Sequence, residues 1–285
     1  MVNYIIGAKR KISDDRLRRW WYDNCAMSQR IPAVHISKTP SARVEELGAG
    51  TCRLEIPASA QGGYRLAQLD SHGTLPRRIF PWHPPLTMNL RARASSQDIP
   101  GTWGFGYWNE PFGFLLGSAG MVRRLPTLPQ AVWFFHASPE NYLSFRDDLP
   151  ANGFLAATFK SKNIFPLWLA LASPALVLTL VPGAAQVVRR ALRKVIHQDA
   201  AQILTDVTTW HTYTFRWETS EVRFYLDGME ILRTAITPFG PLSPVIWVDN
   251  QYASLPPIGK LKFGNLPNPE PAWLEVREMS VDDKA

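Results

Sequence analysis

The stretch from Trp210 to Arg233 constrains the fold of this chain more than any other. His211, Tyr213, Phe215 and Trp217 alternate with Thr212, Thr214 and Arg216, so one face of a period-two strand carries the aromatic mass. After a polar break at Glu218–Glu221, Val222, Phe224 and Leu226 alternate again. Asp227-Gly228 then supplies the positive-φ pair of a tight hairpin turn, and Met229–Arg233 returns. Three antiparallel strands in succession form a meander, and its apolar face requires a second layer. Further extended segments are expected at Thr51–Ile56, Tyr64–Asp70, Leu86–Ala94, Leu128–Ala137, Ala151–Phe159, Ile203–Thr208, Val245–Gln251 and Trp273–Val281. The pattern predicts an all-β sandwich of two antiparallel sheets. Twenty-four prolines and 18 glycines agree with many turns and few long helices.

A further strand is expected in Gly101-Thr-Trp-Gly-Phe-Gly-Tyr-Trp-Asn-Glu-Pro111, where small and large residues alternate and either a ligand or the opposite sheet approaches the glycine face. This Gly-x-Trp strand, the His211-Thr-Tyr strand closing on Trp217 and the hairpin ending Tyr225-Leu-Asp-Gly228 resemble the glycoside hydrolase family 16 proteins. These belong to the concanavalin A-like lectin/glucanase superfamily. The resemblance covers about residues 50–160 and 203–282 and implies a jelly-roll sandwich. It also implies an E-x-D-x-x-E run on the strand after Gly-x-Trp, supplying a nucleophile and a general acid/base. Retaining hydrolysis needs those carboxyls about 5–5.5 Å apart. The matching strand here is Gln130-Ala-Val-Trp-Phe-Phe-His136, and no Asp or Glu occurs from Pro111 to Pro139. Without the nucleophile the covalent step is lost, so ordinary double-displacement activity is not expected.

Glu110, His136 and Asp249 stand near strand ends and are the candidates for other acid–base chemistry. Trp103, Trp108, Trp133 and Trp247 fall on strands that line the family's ligand face. Indoles stack on sugar rings and on isoprenoid or acyl chains alike. Two of the four are expected at the cleft and the others in the core, with Asn109, Asn250 and Tyr252 as further ligand contacts.

Residues 163–200 are expected to interrupt the sandwich as a helical insertion outside the resemblance. The 26 residues between Lys162 and Arg189 carry no charge, a length that spans a bilayer. Pro166, Pro174 and Pro182 break a single straight span, and two short helices opened by Pro166 and Pro174 fit better. A basic amphipathic helix follows, with Val188, Ala191, Leu192, Val195 and Ile196 on one face. Phe165, Leu167, Trp168, Leu176, Leu180, Arg189, Arg190, Arg193 and Lys194 are the expected contacts with an anionic membrane surface. The competing expectation is a helical flap over the sandwich or a dimer contact.

Residues 1–45 are read as an irregular N-terminal arm with a short helix over Asp14–Met27, followed by the sandwich over 46–285. The net charge of +7 favours anionic partners, but no zinc-finger spacing, RNP motif or helix-turn-helix pattern occurs, so nucleic acid is not expected. Cys25 and Cys52 give neither a disulfide framework nor a metal spacing, and no metal or cofactor is expected. The first residues lack an apolar run long enough for a signal peptide, which predicts a cytoplasmic, peripheral membrane location. The expected ligand is amphiphilic, glycolipid- or isoprenoid-like. The alternatives are a lectin-like carbohydrate-binding protein and a glycosidase with relocated carboxylates.

Overall fold

The computed structural model describes residues 34–60, 63–73, 75–111, 124–164, 167, 169 and 173–283. The helix expected over Asp14–Met27, Cys25, Phe165 and Trp168 lie outside them, as does the side chain of Leu176. Among the described residues the strands are β1 (His35–Lys38), β2 (Arg43–Gly48), β3 (Thr51–Ile56), β4 (Leu66–Asp70), β5 (Leu86–Ala94), β6 (Thr102–Trp108), β7 (Ala131–Ala137) and β8 (Gly153–Ser161). They continue as β9 (Ile196–Gln202), β10 (His211–Trp217), β11 (Val222–Leu226), β12 (Met229–Thr234), β13 (Ser243–Asp249), β14 (Gln251–Ser254), β15 (Lys262–Asn265) and β16 (Ala272–Asp282).

One seven-stranded sheet has the order β1-β4-β13-β6-β7-β8-β9, and the other β12-β11-β10-β5-β16-β3-β2. All pairings within both are antiparallel. Strands distant in sequence lie side by side, β16 between β3 and β5 and β13 between β4 and β6. This is the expected all-β jelly-roll sandwich. The meander forms as the alternation requires, with Phe215 opposite Phe224 and Tyr213 opposite Leu226. Asp227 (φ 48°) and Gly228 (φ 84°) make its turn. The Asp227 carboxylate accepts the Thr212 N–H at 2.8 Å and faces His211 Nδ1 at 2.6 Å, so the turn residue also fastens the strand before it.

Between the sheets lie Trp103, Phe105 and Tyr107 of β6, Phe134 of β7, Phe154 of β8 and the inward faces of β10 and β11. Phe134 meets Phe224 edge-on at 5.1 Å, and Phe105 meets Tyr213 at 5.2 Å. Such pairs add about 0.5–1.5 kcal/mol each to the burial of their area.

Three boundaries differ from expectation. The sandwich begins at β1 rather than at residue 46, because His35–Lys38 and Arg43–Gly48 are outermost strands of their sheets. Edge strands carry few apolar residues, so their sequences look irregular. The insertion is shorter than 163–200, since Ile196–Gln202 pairs with β8 from Ser161↔Ile196 to Leu155↔Gln202. The expected strand Ile203–Thr208 is instead a loop that returns Val207 to the core.

The insertion contains a 3₁₀ segment, Ser173–Leu180, and a helix, α1 (Pro182–Arg193). Pro182 fits the first helical turn, where its missing N–H removes no bond. Among the described residues no helix is long and apolar enough to cross a membrane.

The core assignment predicts a cost. Phe134 is fully buried, so Phe134→Ala should lower unfolding free energy by about 3–5 kcal/mol in urea titration. A loss under about 1 kcal/mol would show that this ring is not part of the packed interior.

Candidate functional site

The pleat of β6 sends Trp103, Phe105 and Tyr107 into the sandwich, and Thr102, Gly104, Gly106 and Trp108 to the outer face of the first sheet. On β7, Val132 and Phe134 go inward while Ala131, Trp133, Phe135 and Ala137 go outward. Cross-strand register orders this outer face in rows. Gln68, Trp247, Gly104, Phe135 and Leu155 lie side by side across five strands. The next row is Asp70, Val245, Gly106, Trp133 and Ala157.

A Cβ on Gly104 would stand 2.8 Å from the Trp247 ring, and one on Gly106 would stand 2.5 Å from Trp133 Cβ. The nearest atoms at both positions are β7 main chain, Phe134 O at 2.5 Å from a Cβ on Gly104 and Val132 O at 2.4 Å from one on Gly106, with the Trp247 ring also over Gly104. Trp108 and Trp247 stack 3° from parallel with centroids 6.3 Å apart, and Trp133 lies 5.5 Å from Trp247. Trp108 and Trp133 are buried, while Trp247 remains partly open. Three of the four candidate tryptophans thus share this face. Trp103 does not: it lies in the core, stacked 5.6 Å from His136.

His136 points inward with Trp103, and burial holds its imidazole down to about 4. It is a neutral core residue and does not reach the outer face. The outward positions of β7 are Ala131, Trp133, Phe135 and Ala137.

Glu110 follows β6 at φ 51° and is fully buried. Its Oε2 accepts from Arg124 Nη1 at 2.8 Å and lies 3.5 Å from Arg77 Nη2. Its Oε1 has no hydrogen-bond partner among the described residues. Burial raises its pKa, and the two guanidiniums oppose that shift. Asp249 lies at the other end of the face. Trp247 Nε1 donates to Thr102 Oγ1 at 2.9 Å, and Thr102 donates to Asp249 Oδ1 at 2.9 Å. Burial pushes the Asp249 carboxyl up to about 7, against the hydrogen bonds from Thr102 and Gln251.

Glu110 and Asp249 do not form a pair. Asp249 stands opposite Thr102, six residues from Trp108 along β6, which is roughly 20 Å at 3.4 Å per residue. Glycosidase carboxyls act about 5–9.5 Å apart. Asn109 and Asn250 are committed to the main chain. Asn109 donates to Leu128 O and accepts from Gln130 N–H, and Asn250 bridges Arg65, Gly63 and Leu266. Tyr252 is half-buried on β14 against Gly264.

The structure adds a polar cluster at the β4 edge of the face that the sequence reading did not single out. Asp70 is fully buried, accepting from Gln68 Nε2 and Gly73 N–H, both at 2.9 Å, with His35 Nδ1 at 3.5 Å. Burial opposes its ionisation, but His72, His35 and Gln68 outweigh that and hold the carboxyl below its usual range. His72 is itself pushed down to about 4 by burial. The signal was the run Leu66-Ala-Gln-Leu-Asp70, where Gln68 and Asp70 share one face of a wholly buried strand.

The insertion contributes the other surface. Arg189, an expected membrane contact, is buried instead. It donates to Ser144 O at 2.6 Å, Leu255 O at 2.9 Å and Asp147 Oδ1 at 2.7 Å. Arg193 is exposed but paired with Asp147 at 2.9 Å. Arg190 and Lys194 are exposed. Leu167, Val177, Leu178, Leu180, Val181 and Val187 are each about half exposed or more.

No family model matches this sequence, and no curated protein does. The fold is similar to a glycoside hydrolase family protein from Mycobacterium thermorestibile, at 13% identity and TM-score 0.44, covering 84% of this chain and 78% of that one. It is similar to LamAcat from Zobellia galactanivorans, at 10% identity and TM-score 0.44, covering 85% and 88%. It is also similar to the carbohydrate binding module CBM66 from Bacillus subtilis, at 7% identity and TM-score 0.39, covering 89% and 97%.

The Asp249 environment has a pH signature. A carboxyl raised from 3.8 to about 7 holds its proton more tightly folded than unfolded. Its stabilising contribution is therefore complete below 3.8 and fades as pH rises through about 7. Between pH 5 and pH 8 the wild type should lose on the order of a few kcal/mol relative to Asp249→Asn, measured by urea unfolding. Parallel pH profiles for the two proteins would show that Asp249 is ionised and solvated.

Proposed function

We propose that this chain is a peripheral membrane protein built on a family 16-like sandwich. It holds an amphiphilic, sugar-bearing ligand beside an anionic bilayer surface without cleaving it by double displacement. The observation that carries this reading is the exposed apolar run of the insertion, Val177, Leu178, Leu180, Val181 and Val187, next to exposed Arg190 and Lys194. No Asp or Glu occurs between Asp148 and Asp199. Exposed apolar side chains gain roughly 1.5–3 kcal/mol each when fully buried, and each basic residue near an anionic leaflet adds about 1 kcal/mol. The cytoplasmic leaflet supplies that negative charge.

The outer face supports the ligand half of the reading. Trp247 is the open member of the indole group, and Thr102 and Asp249 stand beside it as polar neighbours. A stacked sugar ring needs such a platform, and an attached chain can remain in the lipid. The apolar outward positions of β7 leave the platform without a nucleophile.

Flotation tests the docking half. Wild-type protein should float with vesicles of phosphatidylcholine and phosphatidylserine in equal parts, and a Leu178→Ser/Leu180→Ser/Val181→Ser variant should stay at the bottom. Equal behaviour of the two proteins would remove the membrane from the account. Tryptophan fluorescence titration with a detergent-dispersed glycolipid tests the other half. Trp247→Ala should weaken binding by about 0.5–1.5 kcal/mol, roughly twofold to tenfold. Unchanged affinity would remove Trp247 from the site. Equal affinity for the free glycan and the glycolipid would favour a lectin-like protein.

A further inference from the structure

The β14–β15 hairpin departs from what a solvated turn requires. Ile258 at its tip is 83% exposed and Phe263 on β15 is 61% exposed, whereas short surface turns are ordinarily polar. Lys260 and Lys262 beside them are also exposed. No Asp or Glu occurs between Asp249 and Glu270, so the hairpin carries only positive charge.

The hairpin is fixed against the insertion. Leu261 N–H donates to Thr179 O at 2.8 Å, which joins the tip to the 3₁₀ segment. Leu255 O accepts from the buried Arg189 of α1 at 2.9 Å, which joins the base of the hairpin to the helix. Tyr142 N–H donates to Ala253 O at 3.0 Å, and Asn141 Oδ1 accepts from Ala253 N–H at 3.0 Å. Two segments far apart in sequence, both free of acidic residues and both with exposed apolar side chains, therefore meet at one place.

We infer that the β14–β15 tip is a second lipid-contacting element, which docks with residues 173–187 on an anionic bilayer. The inference rests on the membrane reading above and deepens it. Ile258 and Phe263 enter the interface between headgroups and acyl chains, and Lys260 and Lys262 stay at headgroup level. Two separated contacts also fix orientation, because a single amphipathic segment leaves the protein free to rotate about its axis. β14 directly follows β13, which carries Trp247, so docking at this tip holds the tryptophan face near the membrane plane.

The test uses the full chain and two double variants, Ile258→Ser/Phe263→Ser and Lys260→Glu/Lys262→Glu. Each is sedimented with vesicles of phosphatidylcholine alone or mixed equally with phosphatidylserine. Each variant should partition about tenfold less onto the mixed vesicles than wild type, with elution volume and melting temperature unchanged. Wild-type partitioning by both variants overturns the inference while leaving the membrane reading intact. Failure of the wild type itself to sediment overturns the membrane reading first. A wild-type dimer that the Ile258→Ser/Phe263→Ser variant disperses assigns the patch to a second copy of this chain, which also overturns the inference.

Discussion

The pleat of two neighbouring strands, β6 and β7, is the constraint on which the rest of this molecule depends. It divides the aromatic residues of the two strands between two environments. Trp103, Phe105, Tyr107 and Phe134 go into the sandwich, and Trp108, Trp133 and Phe135 go to the outer face. A one-residue slip would exchange the two sets. The slip is prevented from both sides: the inward rings meet the meander edge-on, and a side chain at Gly104 or Gly106 would collide with the β7 main chain, and at Gly104 also with the Trp247 ring. Core and outer face are thus specified by the same register.

The outward positions of β7 are alanine, tryptophan and phenylalanine. The carboxylates near this face are placed differently. Asp70 is enclosed by donors, Glu110 is held by two arginines, and Asp249 lies a strand's length from Glu110. Each is buried and each is bound to its own neighbours. Charges held in this way tie strand ends and loops together, as Arg124 does by bridging Glu110 to Gly73 O and Leu75 O.

Much of the fold was legible in the sequence, because alternation and turn residues are local signals. Thr51–Ile56, Leu86–Ala94 and the meander form at the expected residues, and Asp227-Gly228 turns as its composition requires. Three of the missed strands, His35–Lys38, Arg43–Gly48 and Ile196–Gln202, are sheet edges rich in polar and charged residues, which obscures the apolar pattern. The sequence puts the four indoles on strands but leaves their faces open, because strand parity depends on pairing partners that lie elsewhere in the chain. His136 and Trp103 went inward for that reason. The charge of Arg189 suited a membrane surface as well as a buried tie. Only Asp147 and two main-chain carbonyls, contributed by distant segments, separate those outcomes.

The proposed burial of the insertion's exposed apolar run in lipid can be measured directly. A nitroxide attached at Leu178→Cys, in a Cys25→Ser background with Cys52 left buried, reports its surroundings by collision with oxygen and with a water-soluble nickel complex. On addition of anionic vesicles the label should become more accessible to oxygen and less accessible to nickel, as below the headgroups. Accessibilities unchanged from those in buffer would contradict the account.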